Sequence, residues 1–154
     1  MSTPKKTIKP YEFPEKEELK VSEFVEVYHT SNFTESMLHK QSKKGVNKAF
    51  LEKTAAKLGL TIYEIAPLLH ISSRTLLRYK SSDIMDIPVS EHILSLERLI
   101  SEASELFDSK QVIQWINSEL PALDFKKPLD YMDTIFGIDM VRHVVGRIKH
   151  GIYS

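Results

Sequence analysis

A group of side chains that can bind nucleic acid follows Ile71. Ser, Thr, Arg and Lys recur there, and no acidic residue lies between His70 and Ser82. Arginine can grip a guanine edge through two hydrogen bonds, whereas hydroxyl groups and backbone amides suit phosphates. An ordinary surface helical hairpin with a charged outer face is the alternative interpretation. The candidate DNA-binding residues are Ser72, Ser73, Arg74, Thr75, Arg78 and Lys80.

The element that must position these side chains is predicted to be a helix, a tight turn and a second helix. Thr61 and Glu64 have the spacing of a capping box, and Ser72 can cap the second helix. The pattern is typical of a helix-turn-helix, whose second helix enters the DNA major groove. The residues predicted to face inward are Ile62, Ile65, Ala66, Leu69, Ile71, Leu76 and Tyr79.

Two residues depart from the usual helix-turn-helix pattern. His70 stands where a glycine commonly makes the turn, and histidine enters the left-handed region only at some cost. Pro67 lies inside the first predicted helix, where it removes an amide donor. We expect both to affect the helix boundaries without excluding the fold.

The net charge is zero, but the charges are unevenly distributed. Residues 1–80 carry 14 Lys and Arg against 9 Asp and Glu, whereas residues 81–154 carry 7 against 12. This asymmetry predicts different partners for the two halves, with phosphate contacts in the basic half. A solvated lysine-rich face is the alternative for the run Lys40, Lys43, Lys44, Lys48, Lys53 and Lys57.

The sequence lacks the usual signatures of an enzyme. It has no cysteine, no glycine-rich phosphate loop and no pair of histidines at metal-binding spacing on one helix. Asp130 and Asp133 are interpreted as capping residues and not as an acid–base pair. We therefore expect no catalytic residue, no metal and no cofactor. No apolar run approaches the roughly 18 residues of a membrane span, so a cytoplasmic protein that binds no membrane is expected.

Helical periodicity dominates the rest of the chain, which predicts an all-α fold. Pro88 is expected to open a long helix with a heptad-like seam. The seam could pack inside its own domain or against a second copy, and a homodimer is the hypothesis because such DNA readers bind two half-sites. The seam comprises Val89, Ile93, Leu96, Ile100, Ala103 and Phe107. Other helices are predicted at 34–41, 45–58, 109–120 and 129–135, and a final one after Gly137.

The second half resembles the toxin-binding domain of Xre/MbcA/ParS-type antitoxins. The resemblance rests on Phe107 with Trp115 eight residues later, on LPALDFKKPLDYM, and on the ending GIDMVRHVVGRIKHGIYS. The upstream segment ISSRTLLRYK is similar to the Xre-like helix-turn-helix, in the same order along the chain. The resemblance covers roughly residues 45–154, and the predicted domains are a DNA-binding domain at 21–82 and a toxin-binding and dimerisation domain at 88–154. Residues 1–20 are polar, with three prolines and mixed charges, and are predicted to be a flexible arm, which the family pattern does not explain.

The resemblance also implies a function. Such antitoxins accompany a toxin with a RES domain that consumes NAD, cover its NAD site with their C-terminal segment, and repress their own operon. Arg147 and Lys149 would occupy anionic subsites, Tyr153 would stack in place of a ring, and Gly151 would let the tail turn. The implied toxin-binding residues are Arg142, Arg147, Lys149, His150, Gly151, Tyr153 and Ser154.

Two other interpretations remain open. A stand-alone transcription regulator would bind operator DNA but tolerate deletion of the tail, because its second half would only dimerise or sense a ligand. A pure interaction protein with a degenerate helix-turn-helix would show no salt-dependent DNA binding. For the tail itself, the alternative is that Ile148, Ile152 and Tyr153 fold back onto the domain.

Overall fold

The computed structural model describes residues 34–151 as a set of helices. The predictions for residues 1–33 and 152–154 lie outside this range, including the N-terminal arm, Tyr153 and Ser154. Over the described range there is no β-strand, only two isolated bridges, so the all-α prediction is confirmed. The helices are α1 Glu35–Lys44, α2 Lys48–Lys57, α3 Ile62–Leu68, α4 Ser73–Arg78, α5 Ile87–Ser104, α6 Ser109–Ile116 and α7 Ile135–Lys149, with short 3-10 helices at Pro121–Leu123 and Pro128–Tyr131.

The long helix α5 is the centre of the packing. It contacts α1, α2, α6 and α7, and most of its apolar residues are buried. Ile93, Leu96, Ile100 and Ala103 of the predicted seam lie in one continuous core with residues from both predicted domains. The seam is therefore filled within the chain, and a homodimer would need another surface. None of the described helices is long and apolar enough to cross a membrane.

Local sequence signals set most helix ends as expected. The Glu64 carboxylate accepts hydrogen bonds from the backbone amide and the hydroxyl of Thr61, at 2.7 and 2.9 Å, and these two bonds lower the pKa of Glu64. Ser72 accepts from the Thr75 amide at 3.0 Å and so caps α4. Gly59 follows α2 in the left-handed conformation, with φ of +68°.

Some predicted boundaries were wrong. The helix expected at 45–58 begins at Lys48, because Gly45 terminates α1 with φ of +81° and Asn47 caps α2. The helix expected at 129–135 is a 3-10 turn at Pro128–Tyr131. Gly137 does not precede the last helix but lies in its first turn. The first and third of these errors share a cause, since Gly45 and Gly137 were each interpreted from their neighbours in sequence alone.

Candidate functional site

The candidate DNA-binding side chains lie together on and just after α4. Arg74, Thr75, Arg78 and Lys80 are exposed, while Leu76 is fully buried beneath them. The hydroxyls of Ser72 and Thr75 are hydrogen-bonded to each other at 2.7 Å. This bond uses one of the two hydroxyl hydrogens, so the exposed basic side chains are the main candidates to bind a phosphate.

Two lysines of the predicted basic run hold the fold together. Lys48 is buried, and its Nζ donates to the Tyr79 carbonyl at 2.8 Å, at the C-terminal end of α4. Lys57 pairs with the buried carboxylate of Glu97 at 2.9 Å, and Thr54 donates to the same carboxylate at 2.6 Å. We infer that Lys48 positions α4 and that Lys57 fixes α2 on α5. For these two lysines, neither a phosphate contact nor a solvated face describes the environment.

The turn between α3 and α4 is made by His70 in the left-handed conformation, with φ of +56°. This is the conformation that its position in the sequence predicts. Its Nε2 donates to the Asp133 carbonyl at 2.6 Å, and Nε2 of His92 donates to the neighbouring Met132 carbonyl at 2.7 Å. Burial lowers the pKa of His92, only partly opposed by its bond to Met132. His70 thus connects the turn between α3 and α4 to the loop that leads into α7, and His92 connects α5 to the same loop.

The start of α7 depends on a close contact between two backbones. Thr134 caps the helix by accepting from the Gly137 amide at 3.0 Å. A Cβ atom at Gly137 would lie 1.9 Å from the Tyr131 carbonyl oxygen, a distance that no side chain allows. The requirement for glycine at this position is therefore steric, and it fixes the entry of α7 against the 3-10 turn at Pro128–Tyr131.

Two of the implied toxin-binding side chains are engaged within the chain. The Arg142 guanidinium binds both carboxylate oxygens of Glu102, at 2.8 and 2.9 Å, and also pairs with Asp139. The hydrogen bonds that Arg142 donates to Glu102 are the main cause of the raised pKa of Arg142. Lys149 pairs with Glu105. Both cations therefore hold α7 to the C-terminal end of α5.

The end of α7 has the geometry of a chain that changes direction. His150 caps the helix, and Gly151 follows with φ of +69°. Both residues are exposed, whereas Arg147 is half-buried. A turn at Gly151 agrees with its predicted role, and what the chain does beyond it lies outside the described residues.

Sequence reasoning did not single out several exposed apolar side chains of the second half, among them Phe125, Phe136 and Met140. Phe125 follows Asp124 in a tight loop, and both residues have positive φ. Phe136 and Met140 lie on the exposed side of α7. The signal for Phe136 and Met140 was available, since both fall off the apolar stripe of Ile138, Val141 and Val145 and yet are large and apolar.

Comparisons with known proteins agree with the helical arrangement and with the sequence motifs. Residues 102–151 match the model of the antitoxin Xre/MbcA/ParS C-terminal toxin-binding domain. Over 94 residues the chain is 31% identical to the antitoxin Xre of Yersinia enterocolitica. The aligned region covers 59% of this chain and 64% of that relative.

The fold is similar to that of a chain in the crystal structure of the M. tuberculosis MbcT–MbcA toxin–antitoxin complex. The TM-score is 0.54 at 17% sequence identity, over 70% of this chain and 96% of that one. At this level of identity the likeness concerns the fold alone. The comparisons thus show residues 102–151 to be similar to the toxin-binding domain of Xre/MbcA/ParS-type antitoxins, in a chain that spans less than two thirds of the length of its curated relative.

Proposed function

We propose that this chain neutralises a RES-domain toxin encoded beside it, by laying its C-terminal segment over the toxin's NAD site. The observation that carries the proposal is the match of residues 102–151 to a toxin-binding domain. The segment from Arg147 onward supplies two cations, a histidine and a glycine with positive φ at the end of a well-anchored helix. An NAD site binds phosphates, so a cationic segment suits it.

The roles within the implied toxin-binding set differ. Arg142 and Lys149 already have carboxylate partners on α5 or at its end, and withdrawing them would leave Glu102 and Glu105 without those partners. They are positioning residues in this proposal. The residues proposed to reach the NAD site are those at and beyond the end of α7, His150, Gly151, Tyr153 and Ser154, together with Arg147 of its last turn.

We also propose that the chain represses its own operon by placing α4 in the major groove of operator DNA. Arg74 and Arg78 are exposed on α4, and Lys80 is exposed just after it. Lys48 donates a hydrogen bond to the Tyr79 carbonyl and so positions the C-terminal end of the helix. Because α4 has only six residues, base contacts would come from its first turn and phosphate contacts from the residues after it.

The test of neutralisation is NAD consumption by the purified product of the neighbouring gene. Increasing amounts of the full chain should stop consumption, whereas a chain ending at Lys149 should bind less tightly and inhibit poorly. This truncation keeps Ile148, which packs on the core, so its melting temperature should match that of the full chain. Equal inhibition by both chains would exclude the tail as the inhibitory segment.

A further inference from the structure

The helix α7 carries a second apolar surface besides the one that it buries. Phe136 is 85% exposed and Met140 is 47% exposed. They stand four residues apart, so their side chains are neighbours on one face of the helix. Single exposed apolar residues are ordinary. A nearly fully exposed phenylalanine next to a methionine instead forms an apolar patch that stays in contact with water unless a partner covers it.

The same face continues along α7 to its basic end. His143, Arg147 and His150 follow Phe136 by 7, 11 and 14 residues, which at 100° per residue places all of them within about 40° of its direction. His143 and His150 are exposed. We call the surface of Phe136, Met140, His143, Arg147 and His150 the outer face of α7. It is about 21 Å long, apolar at its start and basic at its end.

We infer that the outer face of α7 is the docking surface for the toxin, with Phe136 and Met140 inserted into an apolar depression beside the toxin's NAD site. The inference rests on the proposed function, because it assigns the anchor that holds the C-terminal segment over that site. Two features support the toxin as occupant. The whole face falls within the residues that match a toxin-binding domain, and it runs without interruption into the proposed occluding segment.

A second copy of the chain fits this face poorly. Two-fold symmetry makes contacts reciprocal, so if one residue meets a second across the axis, the second also meets the first. If the two helices ran antiparallel along their full length, the apolar start of one would lie against the basic end of the other. If they ran parallel, the histidine and arginine ends would lie side by side, and the five residues of the face include no carboxylate to pair with them. An asymmetric partner can meet the apolar and basic ends with different surfaces.

The face is also held ready for binding. Thr134 and Gly137 fix the start of α7. The Arg142–Glu102 and Lys149–Glu105 pairs fix the second half of α7 to the C-terminal end of α5. A rigid helix loses little conformational entropy on association, so contacts by its anchors contribute more fully to affinity. Aromatic anchors in such settings are often the residues on which binding depends most.

The experiment measures the affinity of the full-length chain for the purified product of the neighbouring gene by calorimetry. Phe136→Ala should weaken binding by about thirtyfold or more, and Met140→Ala by roughly tenfold. Tyr63→Ala is the matched control, since Tyr63 is 67% exposed on α3, outside the toxin-binding domain. Its affinity should equal that of the unaltered chain. Melting temperatures should agree for all four proteins, because the altered side chains are exposed.

The outcomes separate this inference from the proposed function. If the unaltered chain binds no neighbouring product, the proposed function fails, and the inference fails with it. If the unaltered chain binds and Phe136→Ala binds equally well, only the inference is overturned. A lower melting temperature for Phe136→Ala would mean that the chain itself covers the ring. A lower molar mass for that variant in light scattering would mean that a second copy covers it, and either result overturns the inference.

Discussion

At the level of single residues, the two glycines of α7 have opposite environments. A Cβ at Gly137 would collide with the Tyr131 carbonyl, whereas a Cβ at Gly146 would meet nothing within 4 Å. We predict that Gly137→Ala destabilises the chain by roughly 2 kcal/mol or more, because the backbone must move. Gly146→Ala should stabilise it by about 0.5–1 kcal/mol, since alanine is the better helix former. Urea unfolding of both variants tests the pair, and destabilisation by Gly146→Ala would contradict the account.

His92 makes a second prediction at this level, on the pH dependence of stability. Its pKa in the folded chain lies below the ordinary value of 6.5, chiefly because the ring is buried. Below that pH the unfolded chain binds more protons than the folded one, so the free energy of unfolding should fall as pH falls from 6.5 toward the folded-state pKa. His92→Gln keeps a donor for the Met132 carbonyl but cannot titrate.

The measurement is the urea midpoint of both proteins at pH 7.5 and at about pH 5.5, above the range in which most carboxylates titrate. The unaltered chain should lose more stability over this interval than His92→Gln. Equal losses would mean that other histidines cause the pH dependence.

The pairing of His70 with Asp133 could not be predicted from sequence, because the two residues stand 63 positions apart and only packing brings them together.

At the level of elements, the bidentate ion pair between Arg142 of α7 and Glu102 of α5 holds α7 in its orientation on α5. We predict that Arg142→Ala and Glu102→Ala each lower the unfolding free energy by roughly 1 kcal/mol, a modest value because both side chains are partly exposed. The double variant should cost little more than either single one. Additive losses in this double-mutant cycle would show that the two side chains do not interact in solution.

The same variants decide whether Arg142 contacts the toxin. If it is a positioning residue, both single substitutions should weaken toxin binding to a similar extent, since both release α7. A loss of affinity with Arg142→Ala alone would return Arg142 to the contact surface. Calorimetry with the neighbouring gene product distinguishes the two results.

Helices were predicted from sequence more reliably than their ends. The capping residues Thr61 and Ser72 gave correct starts because their partners lie three residues away. The predictions at Gly45 and Gly137 were wrong because neither glycine is constrained by its immediate neighbours. Ile84 and Met85 constrain Gly45, and the Tyr131 backbone, six residues earlier in the chain, constrains Gly137. The same limit hid the roles of Lys48, Lys57 and Arg142, whose partners lie 31 to 40 residues away.

At the level of the whole molecule, the proposed DNA and toxin surfaces lie on different helices that share one core. We predict that Arg74→Ala combined with Arg78→Ala abolishes operator binding while leaving toxin inhibition intact. Both arginines are exposed on α4, so the fold should persist. The affinity of the unaltered chain for its own promoter should fall steeply with salt, as phosphate contacts require. Loss of toxin inhibition in the folded double variant would contradict this division of labour.

At this scale the division into two predicted domains does not describe how the core is packed. Charge asymmetry and motifs indicated two functional halves, but the core residues of both halves form one cluster around α5. Periodicity identified α5 as apolar and left open what covers it, because the same seam suits a twin or the rest of the chain. The boundaries at 82 and 88 stay a prediction, and so does the homodimer.

The most direct test of the central claim is bacterial growth with the neighbouring gene expressed alone, with the full chain, and with the chain ending at Lys149. The account predicts toxicity from the neighbour alone, full relief by the complete chain, and failure of the truncated but folded chain to relieve it. Relief by both chains would move the inhibitory surface upstream of residue 150. A neighbour without toxicity would contradict the antitoxin function and favour a stand-alone regulator.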